Sequence, residues 1–206
     1  MKKTLTVSLV ILAIVAVLIL VFVLALVSWA IPKQYTTTDI ADYGIYKGNY
    51  DNKSVQEFIN SFFPDEIEGV FSNVTYYYRA QKNDTYAFEA YLSFAIEDEQ
   101  QYKAFVQEHT ADLNQQEFRY DAAYQEYVVI DEFRPSSQEY ENEDIHIQYA
   151  KIGKILCCHE KQEVIFVALG VYDGGVVTTD FLCVYFDRFQ IDPREYALHA
   201  IPASAK

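Results

Sequence analysis

At 206 residues, the chain is long enough for one ordinary domain and a short additional segment, but not for two large domains. Lys2 and Lys3 precede Ile31, whereas every acidic residue follows it, so the part after Ile31 carries 14 basic and 30 acidic side chains and a formal charge of −16. Such a domain repels phosphate backbones and anionic lipid headgroups. We therefore expect no nucleic-acid partner. The charge favours solubility, or the attraction of cations or of a basic protein.

The N-terminal stretch from Thr4 to Ile31 contains no charged side chain and is largely aliphatic. As a helix it would measure about 42 Å, more than the roughly 30 Å of a hydrocarbon layer. Trp29 lies near its outer end, where an amphipathic ring is favoured, and Pro32 ends the helix. The pattern predicts a single-pass transmembrane helix of the signal-anchor type.

Basic residues near the ends of this stretch predict its orientation. Lys2 and Lys3 precede it, whereas residues 33–44 contain one lysine and two aspartates, which places the N-terminus in the cytoplasm and the domain outside. The alternative is cleavage after Ala30 and secretion, but the uncharged run exceeds the 7–15 residues of a secretory hydrophobic region. We expect a cytoplasmic stub (1–3), a transmembrane helix (4–31), a tether (32–50), an extracytoplasmic domain (51–195) and a C-terminal tail (196–206).

Three helices are predicted from apolar residues at helical spacing. The first lies between Asp51 and Pro64, the second covers Asp98–Thr110, and the third follows Gly175. Their apolar stripes are Val55, Phe58, Ile59 and Phe62; Tyr102, Phe105, Val106 and His109; and Phe181, Val184, Tyr185 and Phe189.

Strands are predicted from apolar residues that alternate along the chain. Residues 73–78 and 86–96 form one hairpin, residues 124–132 pair with a short piece at 118–120, and residues 151–158 and 163–172 form a second hairpin. The last of these strands is apolar on both faces, which indicates a central position. The fold class is α+β: after the transmembrane helix comes one domain, in which an antiparallel sheet of about five strands is packed by two or three helices, mainly on one face.

Three cysteines lie in the part of the chain that is expected to meet oxidising conditions. Cys157 and Cys158 are neighbours on a predicted strand and point to opposite faces, so only one of them can face Cys183 on the last helix. One disulfide, Cys183 with Cys157 or Cys158, would lock that helix to the sheet. Alternatively, all three are small buried apolar residues.

No catalytic, cofactor or metal motif stands out. In Cys157-Cys158-His159, nucleophile and base would be sequence neighbours, whereas such pairs usually meet through the fold. The acidic loop with Glu139, Glu141, Glu143, Asp144 and His146 lacks the spacing and the glycine of a calcium loop. We therefore predict no catalytic residue, no cofactor and no metal site.

Tyrosine is unusually frequent, with 18 residues. Tyr76, Tyr77 and Tyr78 must place rings on both faces of their strand, and Tyr91 shares the polar face of the next strand. These four rings form a possible binding face, although tyrosine is also simply a good strand former. The sequence favours a non-enzymatic surface module that binds a protein or a surface polymer. The alternatives are a cell-surface hydrolase whose site is assembled only in the fold and, last, a small-ligand sensor.

Overall fold

The computed structural model describes residues 14–24, 33–43, 53–67, 69–82, 86–135, 146–172, 177–178, 183–192 and 195–196. It divides into two compact units, Met1–Lys33 and Gln34–Lys206. In the first unit, residues 14–24 form helix α1, whose large apolar side chains are 46% to 63% exposed. Among the described residues, none of the helices combines the length and the apolar character that crossing a membrane requires. Of the predicted transmembrane span, residues 4–31, the structure describes only the part that forms α1.

The second unit is an α+β domain built on one antiparallel sheet. Seven strands follow the order β1–β2–β3–β7–β6–β5–β4, and β8 pairs with β6. The strands are β1 (Lys33–Thr37), β2 (Phe71–Lys82), β3 (Tyr86–Ile96), β4 (Asn114–Glu117), β5 (Gln125–Pro135), β6 (His146–Cys158), β7 (Glu163–Tyr172) and β8 (Val177–Thr178). The helices are a 3₁₀ turn (Ile40–Asp42), α2 (Lys53–Asn60), α3 (Glu99–Thr110) and α4 (Cys183–Phe189).

Helices α2 and α3 cover one face of the sheet, as their apolar stripes predict. Val55, Phe58 and Ile59 of α2 are buried, and so are Tyr102, Phe105 and Val106 of α3. Asp98 caps α3 by accepting hydrogen bonds from two backbone N–H groups of its first turn. The central strand β7 lies between β3 and β6 and is buried along its whole apolar run, which confirms its predicted position.

The opposite face of the sheet is also covered, whereas covering mainly on one face was predicted. Helix α4 and the segment around Phe118 pack there against residues of β3, β6 and β7. Glu89, Tyr91 and Ser93, which we expected on a solvated face of β3, are therefore buried. Alternation shows correctly which side chains share a face, but it does not show whether another part of the chain covers that face.

The sheet is larger than predicted and begins earlier in the chain. The described residues form eight strands where about five were expected, and β1 and the 3₁₀ turn lie in the predicted tether. On the side away from β6, β5 pairs with Asn114–Glu117 and not with residues 118–120. Tyr196, placed at the start of a loose tail, is buried against the α4 face. Short or polar pieces of this kind have little periodicity of their own and become ordered only through their tertiary contacts.

Candidate functional site

The four tyrosines of the predicted binding face do not form an exposed row. Tyr76, Tyr78 and Tyr91 are at most 3% exposed, and only Tyr77 is half-buried. Residues of the predicted tether account for two of these burials, because the ring of Tyr35 packs on Tyr78 and the ring of Tyr43 packs on Tyr76. The expected exposure is therefore wrong for three of the four rings.

An open groove of about 500 Å³ lies beside two of these tyrosines, at the β1–β2 edge of the domain. Ile40 contributes an aliphatic side chain that is 39% exposed, and among the described residues of the domain only Val70 is a comparably exposed large apolar residue. We call this feature the Ile40 groove; its lining is Thr38, Asp39, Ile40, Val74, Thr75, Tyr76, Tyr77 and Val184. A second groove of about 280 Å³ includes Val70 and the α3 residues Gln101, Ala104, Phe105 and Glu108.

Short contacts hold the 3₁₀ turn that carries Ile40. Asp39 caps the turn by accepting a hydrogen bond from the N–H of Ala41 at 2.9 Å. Thr37 donates its hydroxyl to Asp42 at 2.7 Å, and Tyr43 donates to the carbonyl of Pro64 at 2.6 Å. Ile40 is thus presented by an ordered segment, which lowers the entropy cost of binding a partner.

The adjacent cysteines face different layers of the domain and are both fully buried free thiols. Cys157 packs with the α2 and α3 face, and Cys158 with the α4 face. Burial raises the pKa of Cys157 to about 12, so this residue stays a thiol near neutral pH. The side chain of Cys183 lies outside the described residues. The predicted disulfide stays a prediction, with Cys158 as the cysteine on the same face as α4.

His159 is hydrogen-bonded through both ring nitrogens, and neither bond involves a cysteine. Its Nδ1 lies 3.0 Å from the hydroxyl of Tyr102, and its Nε2 lies 2.8 Å from Oε1 of Gln125. The histidine therefore links α3 to β5. Sequence spacing carries no signal for this link, because Tyr102 is 57 positions away.

A buried charged cluster, which sequence analysis missed, lies between β5 and β6 on the α4 face. The Nζ atom of Lys154 is 2.7 Å from Oε1 of Glu126 and 2.9 Å from Oδ2 of Asp131. Lys154 and Glu126 are at most 4% exposed as residues, and the side chain of Asp131 is 16% exposed. Lys154 lies opposite Val128 in the β5–β6 register, so the two acids are on either side of it along β5.

Aromatic rings and an amide enclose this cluster. The hydroxyl of Tyr196 donates to Oδ1 of Asp131 at 2.9 Å, and its ring lies 4.9 Å from the Lys154 nitrogen. Gln116 donates from Nε2 to Oε2 of Glu126 at 2.5 Å. Burial by itself lowers the pKa of Lys154, but the surrounding acidic groups, namely Tyr196, Tyr185, Asp131 and Glu126, outweigh burial and raise it well above its usual value.

A second buried acid, Glu89, lies beneath the first turn of α4. Its Oε1 accepts a hydrogen bond from the backbone N–H of Tyr185 at 3.2 Å, and its Oε2 has no hydrogen bond among the described residues. Burial raises the pKa of Glu89 to about 7, against the opposing effects of the helix N–H groups and of Arg79 on the neighbouring strand. Glu89 was expected on a solvated strand face, so its burial could not have been read from alternation.

At its other end, α4 is tied to the sheet by a partly exposed ion pair. Arg188 donates from Nη2 to Oε1 of Glu163 at 2.7 Å, and Tyr124 donates its hydroxyl to Oε2 of the same carboxylate at 2.5 Å. The guanidinium of Arg188 also lies 5.9 Å from the ring centre of Tyr91. These contacts bury Tyr91 and fix the position of α4 on the sheet.

The described part of the chain contains no group of three His, Cys, Asp or Glu side chains that could hold a metal ion. The acidic loop residues Glu139, Glu141, Glu143 and Asp144, and the side chain of His146, lie outside that part. No family model, curated protein or solved structure matches this chain.

The charged clusters and the grooves lie at different places in the domain. Neither of the two grooves is lined by Glu89, Glu126 or Lys154. Glu126 and Asp131 converge, as a hydrolase would require, but both contact the same lysine and are covered by Tyr196 and Tyr185. The described part of the domain therefore offers two open grooves away from the charged clusters, and the Ile40 groove is the larger of the two.

Proposed function

We propose that this chain is a membrane-anchored, non-enzymatic binding module at the cell surface, whose acidic domain holds a protein partner in the Ile40 groove. The observation that carries the proposal is the exposure of Ile40, an aliphatic side chain on an ordered turn beside a groove of about 500 Å³. Grooves with an apolar floor and a few polar groups are the usual sites at which proteins bind their ligands.

The anchor is the first part of the proposal. The large side chains of α1 are aliphatic or aromatic and at least 46% exposed within the described structure. The uncharged stretch around α1, Thr4 to Ile31, has the length of a bilayer span. Exposed apolar surface of this kind is unfavourable in water and favourable in lipid. The lysines that precede the stretch favour a cytoplasmic N-terminus.

The partner is the second part of the proposal. The groove offers Ile40, Val74 and Tyr77 for apolar contacts, with the carboxylate of Asp39 at its margin. The part of the chain after Ile31 has a formal charge of −16, which attracts a basic surface over a long range. These features fit a protein segment that places one apolar side chain in the groove and carries Lys or Arg nearby.

Photo-crosslinking on intact cells tests this proposal. A photoreactive residue at Thr75, which lines the groove, should capture a discrete protein, and Ile40→Asp should reduce capture at least tenfold because it places a charge on the apolar contact. Val70→Asp is the matched control, because Val70 is a similarly exposed aliphatic residue, at 44%, outside the Ile40 groove.

The outcomes of this experiment distinguish the two grooves as binding sites and a protein from a carbohydrate polymer as the partner. If Ile40→Asp left capture unchanged and Val70→Asp abolished it, the groove beside α3 would be the binding site and the Ile40 groove would not. Capture of a carbohydrate polymer in place of a protein would support the surface-polymer alternative. A chain that captured nothing from Thr75 in cells under any growth condition would contradict the proposed function.

A further inference from the structure

The charged cluster between β5 and β6 brings together an amine, a carboxyl group and a base. Lys154 contributes Nζ, which is 2.9 Å from Oδ2 of Asp131. Glu126 contributes Oε1, 2.7 Å from the same nitrogen. Apart from this ion pair, Oε1 of Glu126 has no hydrogen-bond partner among the described residues. The amine and the carboxyl group are thus held side by side, which removes much of the entropy cost of bringing them together.

We propose that Lys154 and Asp131 condense to an intramolecular amide bond that joins β5 to β6, with Glu126 as the group that carries the protons. The bond forms between Nζ of Lys154 and Cγ of Asp131. The bond that breaks is the one between Cγ and Oδ2 of Asp131.

The reaction balances without an oxidant or a co-reactant. Glu126 accepts a proton from the ammonium group, and the free amine attacks Cγ of Asp131. Glu126 passes that proton to Oδ2, then takes a second proton from Nζ and passes it to the same oxygen, which leaves as water. One hydrogen remains on the amide nitrogen, and Glu126 returns to its starting state. An ammonium ion and a carboxylate have become a neutral amide and a water molecule.

The surroundings assign different roles to the two acids. The hydroxyl of Tyr196 donates to Oδ1 of Asp131, where negative charge develops when the amine attacks. Glu126 has Oε2 held by Gln116 and Oε1 directed at the lysine nitrogen, which suits a proton carrier. Asp131 is therefore the carboxyl group that acylates the lysine amine, and Glu126 is the residue that assists.

Burial favours the amide over the ion pair. Lys154, Glu126 and the covering Tyr185 and Tyr196 are all at most 4% exposed. Charges removed from water are costly even when paired, and the reaction removes two of the three charges of the cluster, while the third, on Glu126, keeps the hydrogen bond from Gln116. Enclosure by aromatic rings also restricts the access of the water that would hydrolyse the bond. The product would be a covalent cross-link between two neighbouring strands.

Intact mass spectrometry of the full chain, purified in detergent, tests this inference. The wild type should be lighter than its sequence mass by one water molecule, and digestion should yield a branched peptide in which Lys154 is joined to Asp131. Lys154→Arg is the matched control, because a guanidinium retains the charge and the ion pairs but is a very poor nucleophile. That variant should have its full sequence mass, and Glu126→Gln should lose most or all of the cross-link.

Each other result would overturn a defined part of the inference. A wild type of full sequence mass would overturn it altogether, independently of whether any variant folds. A branched peptide between Lys154 and Glu126 would reverse the roles of the two acids. A lighter mass located in an unbranched peptide would show ring closure at an aspartate and not a cross-link. Complete cross-linking in Glu126→Gln would remove Glu126 from the reaction.

Discussion

Glu89 accepts a hydrogen bond from the backbone N–H of Tyr185, at 3.2 Å, so a carboxyl group of the sheet caps the first turn of α4. The capping N–H groups favour the charged carboxylate, and burial in the sheet opposes it. Burial is the larger effect and raises the pKa of Glu89 from 4.5 to about 7. The nearby Arg79 lowers this pKa and Asp187 raises it, both by less than burial does.

This arrangement predicts that Glu89 makes the domain less stable as pH rises. Between its unfolded pKa of 4.5 and its folded pKa of about 7, the folded state keeps a proton that the unfolded chain has lost. The contribution to the free energy of unfolding is complete below about pH 4.5 and is lost as pH rises through about 7, a change of about 3 kcal/mol. Urea unfolding measured from about pH 4.5 to about pH 7 gives the free energy of unfolding at each pH. Comparison with a variant that cannot titrate at position 89 isolates the contribution of Glu89.

Glu89→Gln is that variant, because glutamine stays neutral and keeps an oxygen for the N–H of Tyr185. The free energy of unfolding of Glu89→Gln should equal that of the wild type at about pH 4.5 and should be larger than that of the wild type above about pH 7. If the difference between the two proteins did not change with pH, the proposed titration of Glu89 would be wrong.

Replacement of Gly153 should destabilise the packing of α2 on the sheet. A Cβ atom at this position would lie 2.9 Å from Cζ of Phe58 and 3.1 Å from Cζ of Phe62. Gly153→Ala therefore forces two packed rings to move, at a cost of about 1–3 kcal/mol in the free energy of unfolding. Gly69→Ala is the control, since nothing lies within 4 Å of its Cβ position. Equal unfolding midpoints for the two variants would contradict the tight contact.

Tyr196 should stabilise the domain although it was predicted to begin a tail. Its ring is 3% exposed and its hydroxyl donates to Asp131. Tyr196→Ala should lower the free energy of unfolding by about 3–5 kcal/mol because it removes a buried aromatic ring. Tyr196→Phe keeps the ring and loses only the hydrogen bond to Asp131, which costs about 0.5–1.5 kcal/mol if Asp131 is the neutral amide proposed above and about 1.5–3 kcal/mol if it is a carboxylate. If Tyr196→Ala left the free energy of unfolding unchanged, Tyr196 would not belong to the core.

Charged residues in α1 should release the chain from membranes if the proposed anchor is correct. Leu18→Arg combined with Phe22→Arg adds about 2.5–3.5 kcal/mol per charge at the centre of a span. The wild type should stay in the membrane pellet after alkaline carbonate washing, and the double variant should shift to the supernatant. Leu18→Ile with Phe22→Leu is the apolar control. A wild type that fractionates with cytosol, or that resists protease added to whole cells, would refute the proposed topology.

Much of the local structure follows from the sequence alone. The apolar spacing of Val55, Phe58 and Ile59 defines the buried side of α2, and strict alternation defines the two faces of β3. The apolar run of β7 determines its central position. These features are predictable because the helical and extended backbones each repeat their side-chain directions at a fixed period, whatever lies around them.

The covering of each face was decided only by the tertiary structure. Tyr91 and Glu89 alternate as a half-polar strand face should, yet α4, which lies about ninety residues later in the chain, covers them. The placement of Lys154 between Glu126 and Asp131 likewise depends on the pairing of β5 with β6 and on Tyr196. Local periodicity carries no information about which distant segment supplies a cover or a counter-charge, because burial and ion pairing depend on the three-dimensional proximity of residues that are far apart in sequence.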